Sequence, residues 1–163
     1  MPDPNTGHDG GIAALSMADI TAVDRPTLGP AAAVAAFRAI RLGALGTVAG
    51  SGLNGAVYLA GRRWAQSLIF GTPADLFRTL AELRLGVPRV LSQSADTIQI
   101  ELAETLSAAG LPAVGEPLCH FEAGFLAGAL ATLTGKRVQV RETACWGTGG
   151  QRCVFVAKLE PRT

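Results

Sequence analysis

The sequence predicts an α+β domain: N-terminal helices packed on a mainly antiparallel four-stranded sheet, with one helix inserted between strands. Three observations predict it. Apolar residues recur at helical spacing in the first half of the chain. The second half switches to alternation, as in Ile98 and Ile100 against Gln99 and Glu101, and Val138 and Val140 against Gln139 and Arg141. Between those alternating runs lies one long apolar segment, Phe121 to Leu133, too long for a strand and too short for a membrane span. Helices first and strands later, with a helix between strands, is the order of an α+β fold rather than of a parallel βαβ sheet.

The chain has 163 residues, enough for one domain with an ordinary core. Residues 1–28 are rich in Pro, Asp, Asn and Gly and read as a tail or docking arm, leaving 29–163 as the folded domain. Val34, Phe37 and Leu45 form an apolar stripe on a helix over Ala31–Val48, with Ile40 at its edge and Arg41 within it. Gly50, Gly52 and Gly55 mark a break, and a second helix runs from Ala56 to Phe70. Thr72-Pro73 is a helix start, Thr72 capping and Pro73 at the first helical position, and that helix stops near Gly86. Pro88–Ser92 and Thr97–Leu102 are a strand pair across the polar turn Gln93–Asp96. Lys136–Glu142 and Val154–Leu159 are the other two strands. The inserted helix carries the small residues Gly124, Gly128 and Ala131 on one face.

Composition excludes several function classes. A net charge of +1 marks no nucleic-acid or membrane-surface binder. The most apolar stretch, Pro30 to Ala60, is interrupted by Arg38, Arg41, Ser51, Gly52 and Asn54, so no membrane span is expected. Met1 to Gly11 lacks the charged-then-apolar plan of an export signal, and a cytoplasmic protein is expected. The letters Gly50-Ser-Gly52-Leu-Asn-Gly55 match a dinucleotide fingerprint, but they follow a predicted helix where the fingerprint needs a strand. No Ser/His/Asp set or paired carboxylate stands out, so no catalytic residue is assigned.

Chemistry concentrates in the C-terminal third: Cys119, His120, Glu122, Glu142, Cys145 and Cys153. Cys119 falls at a helix start, where free N–H groups favour a thiolate. Cys145 and Cys153 flank a glycine-rich loop that brings their sulfurs together. Three thiolates and one carboxylate from Glu142 make the four ligands of a closed zinc site. Two other readings of the same residues stand beside it: a Cys145–Cys153 disulfide across the hairpin, and three buried thiols acting as small hydrophobes.

The run Glu116-Pro-Leu-Cys119-His-Phe-Glu-Ala-Gly124-Phe-Leu-Ala-Gly128, then Val138-Gln-Val140-Arg-Glu142-Thr-Ala-Cys145, then Gly149-Gly-Gln-Arg-Cys153-Val-Phe155, resembles the signature of the 4-vinyl-reductase-like domain family. The likeness extends over about Ile98–Leu159 and more faintly over Ala31–Phe70, through Tyr58-Leu-Ala-Gly61-Arg-Arg-Trp64. That family includes proteins of bacteriochlorophyll synthesis and the sensor domains of aromatic-responsive activators, and it shares its fold with TRAPP transport subunits. The resemblance implies a structural zinc held by Cys119, Glu142, Cys145 and Cys153, with His120 and Glu122 beside it or at the surface. It also implies a hydrophobic pocket between helices and sheet. Most aromatic residues of the predicted helices fit an ordinary core. Tyr58, Trp64, Phe121 and Phe125 are the candidate ligand-binding residues, Tyr58 and Trp64 because each adds a polar tip to an apolar body.

The functional expectation is a module that senses or carries a small hydrophobic ligand, an aromatic compound or a tetrapyrrole intermediate. A regulatory protein partner would relay any signal. The alternatives are a vinyl reductase of chlorophyll-type synthesis and a dimeric interaction scaffold. A homodimer is expected because Val34, Phe37 and Ile40 exceed what one small core buries, and because the family resemblance implies one.

Overall fold

The computed structural model describes residues 29–46, 52–111 and 113–162. The expected arm over residues 1–28 and the expected break near Gly50 lie outside the described residues. Helix α1 spans Gly29–Arg38 and runs into a π-helical turn, Ala39–Ala44, where the Leu45 N–H reaches back to the Ile40 carbonyl. A π turn holds an extra residue, so it rotates the residues after it out of the preceding stripe. For that reason Leu45, expected on the buried face with Val34 and Phe37, is exposed.

Helix α2, Gly52–Ser67, begins earlier than its apolar pattern indicates and takes in Gly52 and Gly55. Helix α3, Pro73–Glu82, starts as expected from Thr72-Pro73 and carries a full capping box: the Thr72 hydroxyl accepts the Asp75 N–H, and the Asp75 carboxylate accepts the Thr72 N–H at 2.8 Å. It ends through Arg84 at a positive φ of 56°, with the Leu85 N–H bonded to the Leu80 carbonyl.

Strands β1 (Val87–Gln93), β2 (Thr97–Ala103), β3 (Arg137–Ala144) and β4 (Cys153–Glu160) form one sheet in the order β1-β2-β4-β3, every pair antiparallel. Helix α4, His120–Thr134, connects β2 to β3 and is the inserted helix. Its residues from Glu122 to Ala131 are all buried, as a helix packed on both sides must be. Ile98, Ile100 and Leu102 of β2, Phe155, Ala157 and Leu159 of β4, and Val138 and Val140 of β3 alternate onto the covered face of the sheet.

The tightest packing is between α2 and α4. A Cβ on Gly124 would meet the Tyr58 carbonyl oxygen at 1.9 Å, and one on Gly128 the Arg62 oxygen at 2.2 Å. In return, Gly61 of α2 lies against the Phe121 carbonyl, where a Cβ would sit at 2.4 Å. Only hydrogen fits at these three positions. Tyr58 also sends its hydroxyl to the open side of β3, where it accepts the Val140 N–H at 3.2 Å.

Two glycine substitutions should therefore move stability in opposite directions. Gly124→Ala is expected to cost about 3 kcal/mol or more, since backbone on both sides blocks relief. Gly55→Ala, in α2 with open space around it, is expected to add up to ~1 kcal/mol through helix propensity. Urea denaturation of the two variants checks both signs.

Candidate metal centre

Each of the four expected ligands is delivered by a different local device. The alternation that buries Val138 and Val140 places Glu142 next on the same face of β3, opposite Phe155, before a bulge at Glu142/Ala144 breaks the register. Cys153 is the first inward position of β4, opposite Leu102. Cys145 caps the short 3-10 turn Trp146–Thr148. That turn is sewn to the segment before α4, because the Gly147 carbonyl accepts the N–H groups of Val114 and Gly115 at 2.8 and 2.9 Å. A Cβ on Gly147 would collide with the Glu116 carbonyl at 2.2 Å, and Gly149 takes a left-handed φ of 91°. These two glycines explain why a glycine-rich loop is needed between Cys145 and Cys153. Cys119 stands at the start of α4 but caps nothing with its thiol, which turns toward the other sulfurs.

The four side chains converge, with their ligand atoms all within 4.8 Å of one another. All three cysteines are fully buried. Cys119 Sγ lies 3.4 Å from Cys153 Sγ, and Cys153 Sγ lies 3.9 Å from Cys145 Sγ. A disulfide needs about 2.05 Å. A tetrahedron with metal–sulfur bonds of about 2.3 Å has an edge of about 3.8 Å. The sulfurs thus have the separation of ligands around a shared ion, and they are free thiols.

Backbone and hydroxyl donors point at these same atoms. The N–H groups of Leu118 and Gly147 each approach Cys145 Sγ at 3.4 Å. The Cys119 N–H donates to Glu142 Oε2 at 3.1 Å. The other oxygen, Oε1, is buried without any hydrogen-bond partner. A buried carboxylate oxygen facing three sulfurs, with no donor, has the surroundings of a metal ligand.

With protons rather than a cation between the donors, the centre resists charging. Burial first, then Cys145, raises the Glu142 carboxyl to about 8. Cys119 is pushed up by its hydrogen bonds to the Cys145 and Cys153 sulfurs and by burial. Cys153 is lowered by Cys119, but Cys145 and burial outweigh this and leave it at about 12. Cys145 alone is held down, by the Cys119 and Cys153 thiols and the Leu118 N–H. Four ionised ligands at this spacing need a cation, and a bound cation would release the protons.

Neighbouring residues have other roles. Glu122, expected beside the centre or at the surface, is completely buried in the first turn of α4. It accepts the Ser107 N–H and the Ser107 hydroxyl, each at 2.9 Å. Burial raises its carboxyl above the ordinary value. His120 Nε2 is buried with no partner. Thr105, which no sequence pattern singles out, is buried with its hydroxyl 3.4 Å from Cys153 Sγ and 3.6 Å from Cys119 Sγ.

Of the four candidate pocket residues, three meet. Trp64 lies 5.9 Å from Phe121 and 5.6 Å from Phe125, centroid to centroid, and Phe70 joins the edge of Phe125 at 6.2 Å. Tyr58, on another side of α2, is bonded to β3 instead. Tyr58 and Trp64 are six residues apart, about 120° around the helix axis, which accounts for the separation.

The family model for the 4-vinyl-reductase domain matches residues 98–159, the segment that holds all four converging side chains. Protein MJ1642 of Methanocaldococcus jannaschii is 36% identical over 126 residues, 77% of this chain and 77% of that protein. The chain belongs to the 4-vinyl-reductase domain family. Solved structures agree on the fold. A vinyl-4-reductase family protein from M. jannaschii superposes with a TM-score of 0.61 at 19% identity, covering 87% of each chain. The phenol-responsive sensory domain of the transcription activator PoxR, solved with phenol, gives 0.54 at 18% identity over 81% of this chain and 75% of that one. A trafficking protein particle complex subunit 3 from Naegleria fowleri, covalently bound to palmitic acid, gives 0.51 at 14% identity over 69% and 84%. The family resemblance carried by the cysteine and glycine pattern is therefore correct, as is the shared fold with transport subunits.

The buried Glu122 makes a pH dependence testable. Its folded pKa lies above its ordinary 4.5, so the folded state holds the proton more tightly. Stability from this group is complete below 4.5 and falls as pH rises through the folded value. Glu122→Gln keeps a hydrogen-bonding partner for Ser107 and removes the ionisation. Its stability relative to wild type should increase as pH is raised from about 5 to about 8, and thermal unfolding across that range checks the slope.

Proposed function

We propose that this domain is a zinc-stabilised small-molecule-binding module that senses or carries a hydrophobic ligand. The observation that carries the zinc reading is the convergence of Cys119, Glu142, Cys145 and Cys153 within 4.8 Å at sulfur spacings suited to a tetrahedral ion. Soft thiolates favour zinc over magnesium or calcium, and four protein ligands leave no open position for water. The ion would be structural, tying β3, β4 and the start of α4 together.

The ligand reading is supported by the PoxR sensory domain, which shares the fold and was solved with phenol. The aromatic cluster of Trp64, Phe121 and Phe125 offers the apolar surface. The unpartnered His120 Nε2, one residue from Phe121, offers a polar contact. An aromatic compound or a tetrapyrrole intermediate fits such a lining. Tyr58 is the weaker candidate, because its hydroxyl already serves β3. A second copy as partner is supported by the exposed Ile40, Leu45 and Leu59. Among the described residues no helix is long and apolar enough to cross a membrane.

Two outcomes are expected. Protein purified under reducing conditions should carry about one zinc per chain by elemental analysis, and Cys153→Ala should lose it together with stability. A protein without zinc that still folds cooperatively would contradict the reading. Separately, titration with a hydrophobic aromatic probe such as 1-naphthol should quench Trp64 fluorescence and raise the melting temperature. Trp64→Ala should weaken that binding at unchanged zinc content. Steady NAD(P)H-dependent reduction of a vinyl tetrapyrrole by the purified chain would instead establish a reductase.

A further inference from the structure

The turn from Thr105 to Gly110, between β2 and the segment leading to α4, is gripped from three directions. On one side the Thr105 hydroxyl touches the Cys153 and Cys119 sulfurs at 3.4 and 3.6 Å. On the second, Ser107 gives its N–H and hydroxyl to Glu122 of α4. On the third, Arg38 at the end of α1 spreads its guanidinium over the carbonyls: Nε donates to Leu106 at 2.9 Å, and Nη2 to Ala109 at 2.9 Å and Thr105 at 3.4 Å. Thr105 thus faces the sulfurs with its side chain and Arg38 with its carbonyl. It is itself buried, at 1% exposure, with no slack to move one without the other.

We infer that this turn is a clasp that links the docking of residues 34–46 to the occupancy of the metal centre, with Thr105 as the positioning residue and Arg38 as the latch. The inference rests on the zinc reading above. Around a cation the cysteines are thiolates and can only accept, so the Thr105 hydroxyl must donate to sulfur and its orientation is set. With thiols, Cys119 can donate to the Thr105 oxygen instead, and the hydroxyl is free to turn. The backbone of Thr105 follows, and with it the carbonyl row that Arg38 holds. Arg38 makes charge-assisted bonds to neutral carbonyls, each stronger than an ordinary amide bond, so loosening the row loosens the helix end.

Amide hydrogen exchange on the full chain, with zinc bound and after chelation, tests this. Metal content is measured on the same samples. Chelation is expected to speed exchange about tenfold over residues 34–46 and 105–110, the loss of one charged hydrogen bond. In Thr105→Val, residues 34–46 should exchange fast already with zinc bound, and chelation should add little. Thr105→Ser should restore the wild-type response. Should the valine variant fail to fold, Arg38→Gln serves: zinc content unchanged, metal dependence at residues 34–46 gone. Chelation that alters residues 119–122 and 145–153 while leaving 34–46 unchanged overturns the clasp but not the zinc site. An undiminished response in both Thr105→Val and Arg38→Gln also overturns it. Absence of zinc binding overturns both.

Discussion

Everything in this domain depends on how close α2 and α4 come. Three glycines, one on α2 and two on α4, let backbone meet backbone, and the first turn of α4 is thereby set against the ends of the strands. Cys119 begins that turn and Glu122 completes it. If the helices stood apart by the width of a methyl group, Cys119 would leave the sulfur cluster and Glu122 would leave Ser107. The packing is apolar and the site is polar, but the first sets the geometry of the second.

The centre gathers donors from parts of the chain that are distant in sequence and adjacent in the sheet. β3 contributes a carboxylate by alternation and β4 a sulfur by the same rule. The loop between them contributes a second sulfur, and the helix start a third. Such a site cross-links the sheet to the helix that covers it. In a 163-residue chain with few aromatic residues to fill its core, a cross-link at the sheet's end compensates for modest packing.

Much of this is legible in the sequence. Alternation at Ile98–Glu101 and Val138–Arg141 places two strands correctly, and Thr72-Pro73 places a helix start to the residue. The four converging side chains are readable because cysteines are rare and their order matches a known pattern. Other features leave no such mark. The π turn at Ala39–Ala44 has no signature in residue type, and so helical periodicity puts Leu45 on the wrong face. Thr105 is an ordinary threonine until the fold sets it against two sulfurs. Glu122 does leave a signal: a lone carboxylate in an otherwise apolar run, which in a buried helix must have a partner. Ser107 cannot be named as that partner from sequence, because loop conformation is not periodic.

The two rims of the sheet are treated differently. On β3 the Tyr58 hydroxyl takes up the Val140 N–H, so part of that rim is shielded by a helix. On β1 the rim carries the exposed Val87, Val90 and Leu91, a composition that invites strand addition from another molecule. The bulge between Val90 and Ser92 works against it. It breaks the regular spacing of donors and acceptors where the apolar side chains cluster, and Arg89, held to Glu101 at 3.1 Å, keeps a charge beside them. An irregularity that weakens one strand thereby protects the whole molecule from sticking to its own kind in a crowded cell.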